Sequence, residues 1–164
     1  MMPYKLFKNL QGNWRFHRTL QNSSSSESLG FVDGTASFIV IKADRLHYQE
    51  VGVLTDSCQK KLKIHQEYLY IFDETKDTIE KKFSENGQDK GFFYFLSFDA
   101  SSEQNNEVLF YAYGDHLCNR DHYKALYEFK KTDNRMNKFA LEYVVKGPDK
   151  DYVSKTFFRR QVNP

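Results

Sequence analysis

The residues best suited to chemistry cluster within residues 111–123, YAYGDHLCNRDHY. His116 and Cys118 are two positions apart, so both side chains point to one side if a strand continues through them. A His-x-Cys pair with Asp121 or His122 would supply three protein ligands, the number that a catalytic zinc site keeps. Metal binding is therefore the first interpretation of this segment.

Three other interpretations of the segment stay open. A neighbouring histidine would activate Cys118 as a nucleophile if the two side chains were in hydrogen-bond reach, although the sequence reveals no oxyanion donor. In a structural interpretation, Asp121 satisfies backbone groups at a strand junction and the cysteine packs as a small hydrophobic residue. In the last one, His116, Tyr123 and Tyr113 make polar contacts to an organic ligand inside the fold.

A series of strand-like runs must position these side chains. Runs rich in aromatic and β-branched residues recur between residues 34 and 160, separated by turn residues such as Asn86 and Gly87. With the strand that starts at Trp14, we count about ten strands at roughly 12-residue spacing. The serine-rich residues 22–28 are expected to form a loop. No connection is long enough for the crossover helix that a parallel sheet requires. We therefore predict an all-β fold, a closed antiparallel up-and-down barrel, because closure removes the exposed edges.

The two ends of the chain are expected to meet at one end of this barrel. Apolar spacing within residues 4–11 predicts a short N-terminal helix that plugs it. The first and last strands pair in a closed meander, which brings the Trp14 ring within stacking distance of Arg159 or Arg160. Such a contact is worth about 0.5–2 kcal/mol and closes the barrel whatever the barrel holds.

A barrel of this size has room inside for one small ligand. Several strands carry isolated polar groups among aromatic residues on one face, as Tyr48 and Glu50 do, and this mixture is typical of a small-molecule pocket. Alternation alone does not say which face is inside, so outward-facing side chains are the alternative. The residues that we predict to line a ligand cavity are Trp14, Arg18, Tyr48, Glu50, Tyr68, Tyr70, His116, Cys118, Asp121 and Tyr123.

Composition limits the class of partner. The 164 residues carry a net charge of +2 with both signs scattered along the chain, which gives no field that would favour nucleic acid or an anionic membrane. No apolar run of about 18 residues is present, so we predict no membrane span. The N-terminal segment lacks the apolar core of a secretion signal, and the two cysteines are expected to be free thiols in the cytoplasm.

A wider resemblance covers nearly the whole chain. The segments GNWRFHRTL, GTASF, YQEVGVL, YLYIF, DHLCNRDHY and VKGPDKDYVSKTFFRR, in that order, resemble the uncharacterised family called domain of unknown function 6314. The resemblance implies a calycin-like barrel, of the lipocalin and nitrobindin type, and implies no activity. Because nitrobindin-like barrels hold haem through one histidine, it makes His116 a candidate haem ligand.

We therefore predict one calycin-like domain over residues 1–164 that binds a small, partly apolar organic ligand, as a monomer or homodimer. The alternative is a haem- or metal-dependent enzyme or redox protein that uses His116, Cys118 and Asp121.

Overall fold

The structure, a computed structural model, describes residues 3–99, 102–104, 107–132 and 135–162. Its elements are α1 (Pro3–Leu10), β1 (Gly12–Asn22), β2 (Ser28–Lys42), β3 (Arg45–Asp56), β4 (Lys61–Asp73), β5 (Thr78–Glu85), β6 (Gln88–Phe95), β7 (Ser97–Phe98), β8 (Ser102–Gln104), β9 (Glu107–Cys118), β10 (Asp121–Thr132), β11 (Arg135–Lys146) and β12 (Asp151–Arg160). Within the described ranges, no helix has the length and apolar character needed to cross a membrane.

The strands form one antiparallel sheet that curls into a nearly closed barrel. Its order runs from β6 back to β1 and then from β12 back to β9, so that the first and last long strands pair. Leu96 alone separates β6, which pairs with β5, from β7, which pairs with β9. The chain thus passes from one edge of the sheet to the other between β6 and β7. The predicted all-β barrel is confirmed, and two short strands, β7 and β8, are added to the expected set.

The second strand begins earlier than the sequence indicated. We expected a loop over residues 22–28 and a strand from Gly34, whereas β2 starts at Ser28 and pairs with β1 from there. The register shifts between Leu20 and Gln21, and Gly30 opposite Leu20 has a φ of +132°. That backbone conformation favours glycine, and it lets the pairing continue through a bulge.

One end of the barrel is closed by apolar packing. The helix α1 buries Leu6, Phe7 and Leu10, which confirms the predicted N-terminal helix. Trp14 is fully buried beneath it and donates its Nε1–H to the backbone oxygen of Leu10 at 2.9 Å. The guanidinium of Arg160 lies 4.3 Å from the centre of the Trp14 ring, so the predicted stacking contact is present and involves Arg160.

A buried carboxylate fastens the β5–β6 hairpin to the outside of the sheet. Glu67 Oε1 accepts hydrogen bonds from the backbone N–H of Gly87 at 2.7 Å and from the hydroxyl of Ser84 at 2.9 Å, and it lies 3.0 Å from His47 Nε2. The hydrogen bond from Gly87 is the main cause that lowers the pKa of Glu67 to about 2. The bonds with His47 and Ser84 lower the pKa further, whereas burial opposes the shift.

Candidate functional site

A buried ion pair crosses the interior of the barrel. Arg18 and Glu50 occupy inward positions of β1 and β3, and the two guanidinium nitrogens Nη1 and Nη2 bind the two carboxylate oxygens at 2.8 Å each. The Tyr48 hydroxyl donates to Glu50 at 2.7 Å, and Arg18 Nε donates to the Thr156 hydroxyl at 2.7 Å. The side chain of Glu50 is 2% exposed and that of Arg18 is 13% exposed. The pair is thus fixed in a two-point geometry, with its arginine on the more accessible side.

Beyond the ion pair, a buried lysine lies among tyrosines. Lys81 on β5 is 2% exposed, and its Nζ donates to the hydroxyl of Tyr143 at 2.8 Å and contacts that of Tyr127 at 3.4 Å. The same nitrogen lies 4.0 Å from the ring centre of Tyr68. Burial lowers the pKa of Lys81 well below its ordinary value, with Glu50 opposing the shift and Arg18 adding to it.

The tyrosine hydroxyls form a chain of hydrogen bonds through the barrel. Tyr70 bonds to Tyr127 at 2.9 Å, Tyr127 to Tyr94 at 2.6 Å, and Tyr94 to Tyr143 at 2.7 Å. Burial raises the pKa of all four hydroxyls above the ordinary value. They therefore remain protonated across the neutral range and act as both donors and acceptors.

An internal chamber of about 230 Å³ opens at the end of the barrel opposite α1. Its walls include Arg18, Gln66, Tyr68, Phe93, Tyr123, Tyr143, Tyr152 and Ser154, together with apolar side chains from β1 to β4. Below it lies a void of about 20 Å³ that Lys81, Glu50, Tyr48 and Tyr70 line. Four residues, Arg18, Gln66, Tyr68 and Tyr143, border both spaces. The void therefore adjoins the inner end of the chamber, with these four side chains between the two spaces.

The segment of residues 111–123 lies at the rim of this chamber. His116 faces inward with its ring 5.1 Å from that of Phe93 and 6.3 Å from that of Tyr123. Cys118 is exposed at the end of β9, whereas Asp121 is buried. No group of three His, Cys, Asp or Glu side chains within the described residues is placed to hold a metal ion. The predicted three-ligand metal set is thus not assembled there.

Six of the ten predicted cavity residues border the chamber or the void, and four do not: Trp14, His116, Cys118 and Asp121. Arg18, Tyr48, Glu50, Tyr68 and Tyr70 border the chamber or the void, and Tyr123 lies on the chamber wall. Trp14 lies instead under α1 at the closed end, and the thiol-bearing Cys118 lies beyond the rim.

Lys81 and the deeper tyrosines were not predicted from the sequence. Lys81 falls between Ile79 and Phe83 in a strand whose alternate residues are apolar, and that register places it inside. Tyr127 lies in the same way between Ala125 and Phe129. In both strands a polar residue occupies a position whose alternate neighbours are apolar. This pattern places the residue inside the barrel once the orientation of the strand is known.

A larger depression on the outer face of the barrel is a weaker candidate. It encloses about 840 Å³ over β1, β2 and β10 to β12, and long charged side chains such as Arg15, Lys155 and Arg159 border it. Phe157 in its wall is 50% exposed. Because its outward side chains are solvated and no buried polar groups converge on it, the internal chamber is the better candidate for a ligand site.

A nearly closed antiparallel meander plugged by a short helix and closed by a Trp–Arg contact defines a calycin-like barrel. The chain belongs to the family of unknown function DUF6314, whose model matches residues 10–160. The resemblance drawn from the sequence is thereby confirmed.

Comparison with solved structures supports the same fold. The S-type phycobiliprotein lyase CPES from Guillardia theta is 8% identical, with a TM-score of 0.63 over 100% of this chain and 95% of the lyase chain. A de novo designed fluorescence-activating β-barrel is 10% identical, with a TM-score of 0.38 over 98% of this chain and 100% of the designed one. The second likeness is too weak to support an argument. Among curated proteins, none has significant sequence similarity to this chain.

Proposed function

We propose that the protein binds a small, partly apolar organic ligand in the internal chamber. The observation that carries this proposal is the chamber itself, an opening of about 230 Å³ whose wall includes Arg18 of the buried Arg18–Glu50 pair. Ligand pockets are typically apolar concavities of roughly 300–1,000 Å³ with a few convergent polar groups. The chamber is somewhat smaller than that range, so it suits a small ligand. The likeness to the phycobiliprotein lyase concerns the fold, and the proposal rests on the chamber.

The chamber walls suggest the chemistry of the ligand. Aromatic rings of Tyr68, Phe93 and Tyr143 offer flat apolar contacts. Arg18 uses Nη1, Nη2 and Nε toward Glu50 and Thr156 and borders the chamber, so it presents positive charge to the ligand without being free to move. A ligand with an apolar body and a hydrogen-bond acceptor at its inner end fits this arrangement.

Two substitutions at adjacent positions of β1 test the proposal. Leu20 lines the chamber, whereas the neighbouring Thr19 is exposed on the outer face. Leu20→Trp is expected to fill the opening and Thr19→Trp to leave it unchanged, although both introduce the same side chain. Native mass spectrometry of freshly purified protein is expected to find bound organic mass in the wild type and in Thr19→Trp, and none in Leu20→Trp.

A fluorescent probe provides a second measurement. Anilinonaphthalene sulfonate, an aromatic anion, is expected to bind the wild type and Thr19→Trp with the same dissociation constant within about twofold. In Leu20→Trp that constant should rise by at least about tenfold, or about 1.4 kcal/mol. Clean apoprotein in every preparation, with equal probe binding by the two variants, would show that the chamber is not a ligand site.

A further inference from the structure

The amine of Lys81 lies where an internal ligand would end. Lys81 is one of the residues that border the void of about 20 Å³ beneath the chamber. On the scale by which a cavity needs roughly 10–15 Å³ to hold a water molecule, this void accommodates one or two water-sized groups. Since Arg18, Tyr68 and Tyr143 border both spaces, the void adjoins the chamber, and a ligand terminus that passes between these side chains would reach the amine.

This lysine lacks the partner that normally accompanies a buried ammonium. The nearest interior carboxylate, Glu50, is already bound at both oxygens by Arg18. Lys81 Nζ instead donates to the Tyr143 hydroxyl and contacts that of Tyr127, and no acidic side chain of the described residues forms a salt bridge with it. A lysine that burial shifts towards its neutral form carries a free electron pair on nitrogen, which is what a nucleophilic amine requires.

The surrounding hydroxyls are placed to move the protons of such a reaction. Tyr143 accepts from Lys81 at 2.8 Å and is bonded to Tyr94 at 2.7 Å, which in turn is bonded to Tyr127 at 2.6 Å. Burial keeps these hydroxyls protonated, so the series of tyrosine hydroxyls accepts a proton at one hydroxyl only as it releases another proton from a different hydroxyl.

We propose that Lys81 forms an imine with an aldehyde group at the inner end of the ligand. This inference rests on the proposed ligand-binding function and names the reactive group of the ligand. The amine nitrogen attacks the carbonyl carbon, and a proton passes from nitrogen to the former carbonyl oxygen through the Tyr143 hydroxyl. The resulting carbinolamine loses its hydroxyl with the second nitrogen proton as water. One C=N bond replaces one C=O bond, and no oxidant or reductant is consumed.

An aldehyde fits this position better than a bulkier carbonyl. Its carbonyl carbon bears a hydrogen on one side, and the void has room for little more than the carbonyl itself. The aromatic walls of the chamber, formed in part by Tyr68 and Phe93, suit a flat apolar body attached to that carbon. The ligand class is thus a small aromatic or conjugated aldehyde.

Reductive trapping tests the inference. The full-length protein is incubated with cinnamaldehyde and sodium cyanoborohydride at neutral pH, and intact mass and peptide mapping locate the adduct. We expect one adduct, with the mass of the aldehyde less one oxygen, on the peptide that contains Lys81. Lys81→Met should lose it. Lys82→Met, a change at the neighbouring lysine that pairs with Asp89 on the exterior, should retain it.

The rates and a non-reactive analogue separate this inference from the ligand-binding proposal. Lys81 in the wild type is expected to be labelled at least about tenfold faster than Lys82, since each pH unit by which a pKa is lower gives about tenfold more neutral amine. Labelling spread over surface lysines with no preference for Lys81 would overturn the imine. This result is read from the wild type and does not depend on the folding of any variant.

Cinnamyl alcohol, which has no carbonyl, reports on the chamber alone. If it binds the wild type and Leu20→Trp abolishes that binding while no adduct forms on Lys81, the imine is wrong and the ligand-binding proposal stands. If neither compound binds, the imine is wrong and the ligand-binding proposal loses its support as well.

Discussion

Replacing Arg18 by methionine should cost more stability than any exterior ion pair can supply. The substitution leaves Glu50, which is 2% exposed, with the Tyr48 hydroxyl as its remaining donor and removes both guanidinium bonds. Breaking a buried pair in this way typically costs about 3–5 kcal/mol, because an uncompensated charge stays in the interior. We expect a loss of that size in the free energy of unfolding for Arg18→Met.

The reciprocal change is expected to cost less. Glu50→Gln leaves the positive charge on Arg18, which is 13% exposed, borders the open chamber and keeps its bond to Thr156. A loss of about 1–3 kcal/mol is therefore expected, near the cost of one weakened charged hydrogen bond. The double variant Arg18→Met/Glu50→Gln removes both charges and should recover most of the stability, with a coupling energy of at least about 2 kcal/mol.

Urea denaturation at pH 7, followed by the fluorescence of Trp14 at the closed end, measures all three variants. Lys82→Met provides the control, because Lys82 and Asp89 form a pair with the same 2.8 Å distance on the exterior. That pair should contribute about 0–1 kcal/mol. A loss below about 1 kcal/mol for Arg18→Met, or strictly additive effects of the two single changes, would refute the view that the interior isolates this pair from water.

Three further changes test other parts of the barrel. Glu67→Gln should lower the free energy of unfolding by up to about 3 kcal/mol above pH 4.5. Because the folded-state pKa of about 2 lies below the ordinary 4.5, the difference in stability between wild type and variant should vanish as pH falls towards 2. A difference that persists at low pH in urea denaturation would contradict this. Gly114→Ala places a Cβ against the Tyr94 ring and should cost about 1–3 kcal/mol by overpacking; an unchanged melting temperature would show that the ring has room to shift. Arg160→Met removes the cation over Trp14 together with its hydrogen bonds to the backbone oxygens of Asn9, Gln11 and Met136, and should cost at least about 2 kcal/mol in thermal unfolding. Arg160→Lys keeps the charge and should restore part of that loss; an equal loss in both variants would show that the charge over the ring contributes nothing.

The fold could be predicted from sequence because each long strand carries its own signal. Alternation of apolar and polar residues with turn residues at regular spacing indicated a meander, and the shortness of the connections excluded a parallel sheet. The start of β2 was misjudged because the serine-rich residues 22–28 resemble a loop. The bulge that carries pairing back to Ser28 depends on the positive φ of Gly30, and no periodicity reveals it.

The candidate site was harder to predict, since its members lie on different strands. Arg18 and Glu50 were both expected inside, yet their two-point contact depends on the relative register of β1, β2 and β3. The segment around His116 was predicted as a site because reactive residue types lie close together in its sequence. In the structure, the interior polar cluster is formed by residues that are far apart along the chain. Lys81 was overlooked because lysine normally lies on the surface, and its register was the contrary signal.

The polar interior is difficult to explain by the needs of folding alone. At the closed end, the interior side chains of α1 and Trp14 seal the barrel with apolar packing and a satisfied indole N–H, and the cation of Arg160 lies over the ring. Apolar residues could also occupy the positions of Arg18, Glu50 and Lys81. Replacing a buried ion pair by apolar residues of similar volume often leaves stability unchanged or raises it. All three residues border the void, and Arg18 also borders the chamber. A role in contacting something that enters from the open end accounts for both their chemistry and their position, and near-wild-type stability of Arg18→Met/Glu50→Gln combined with weakened binding of the fluorescent probe would separate that role from folding.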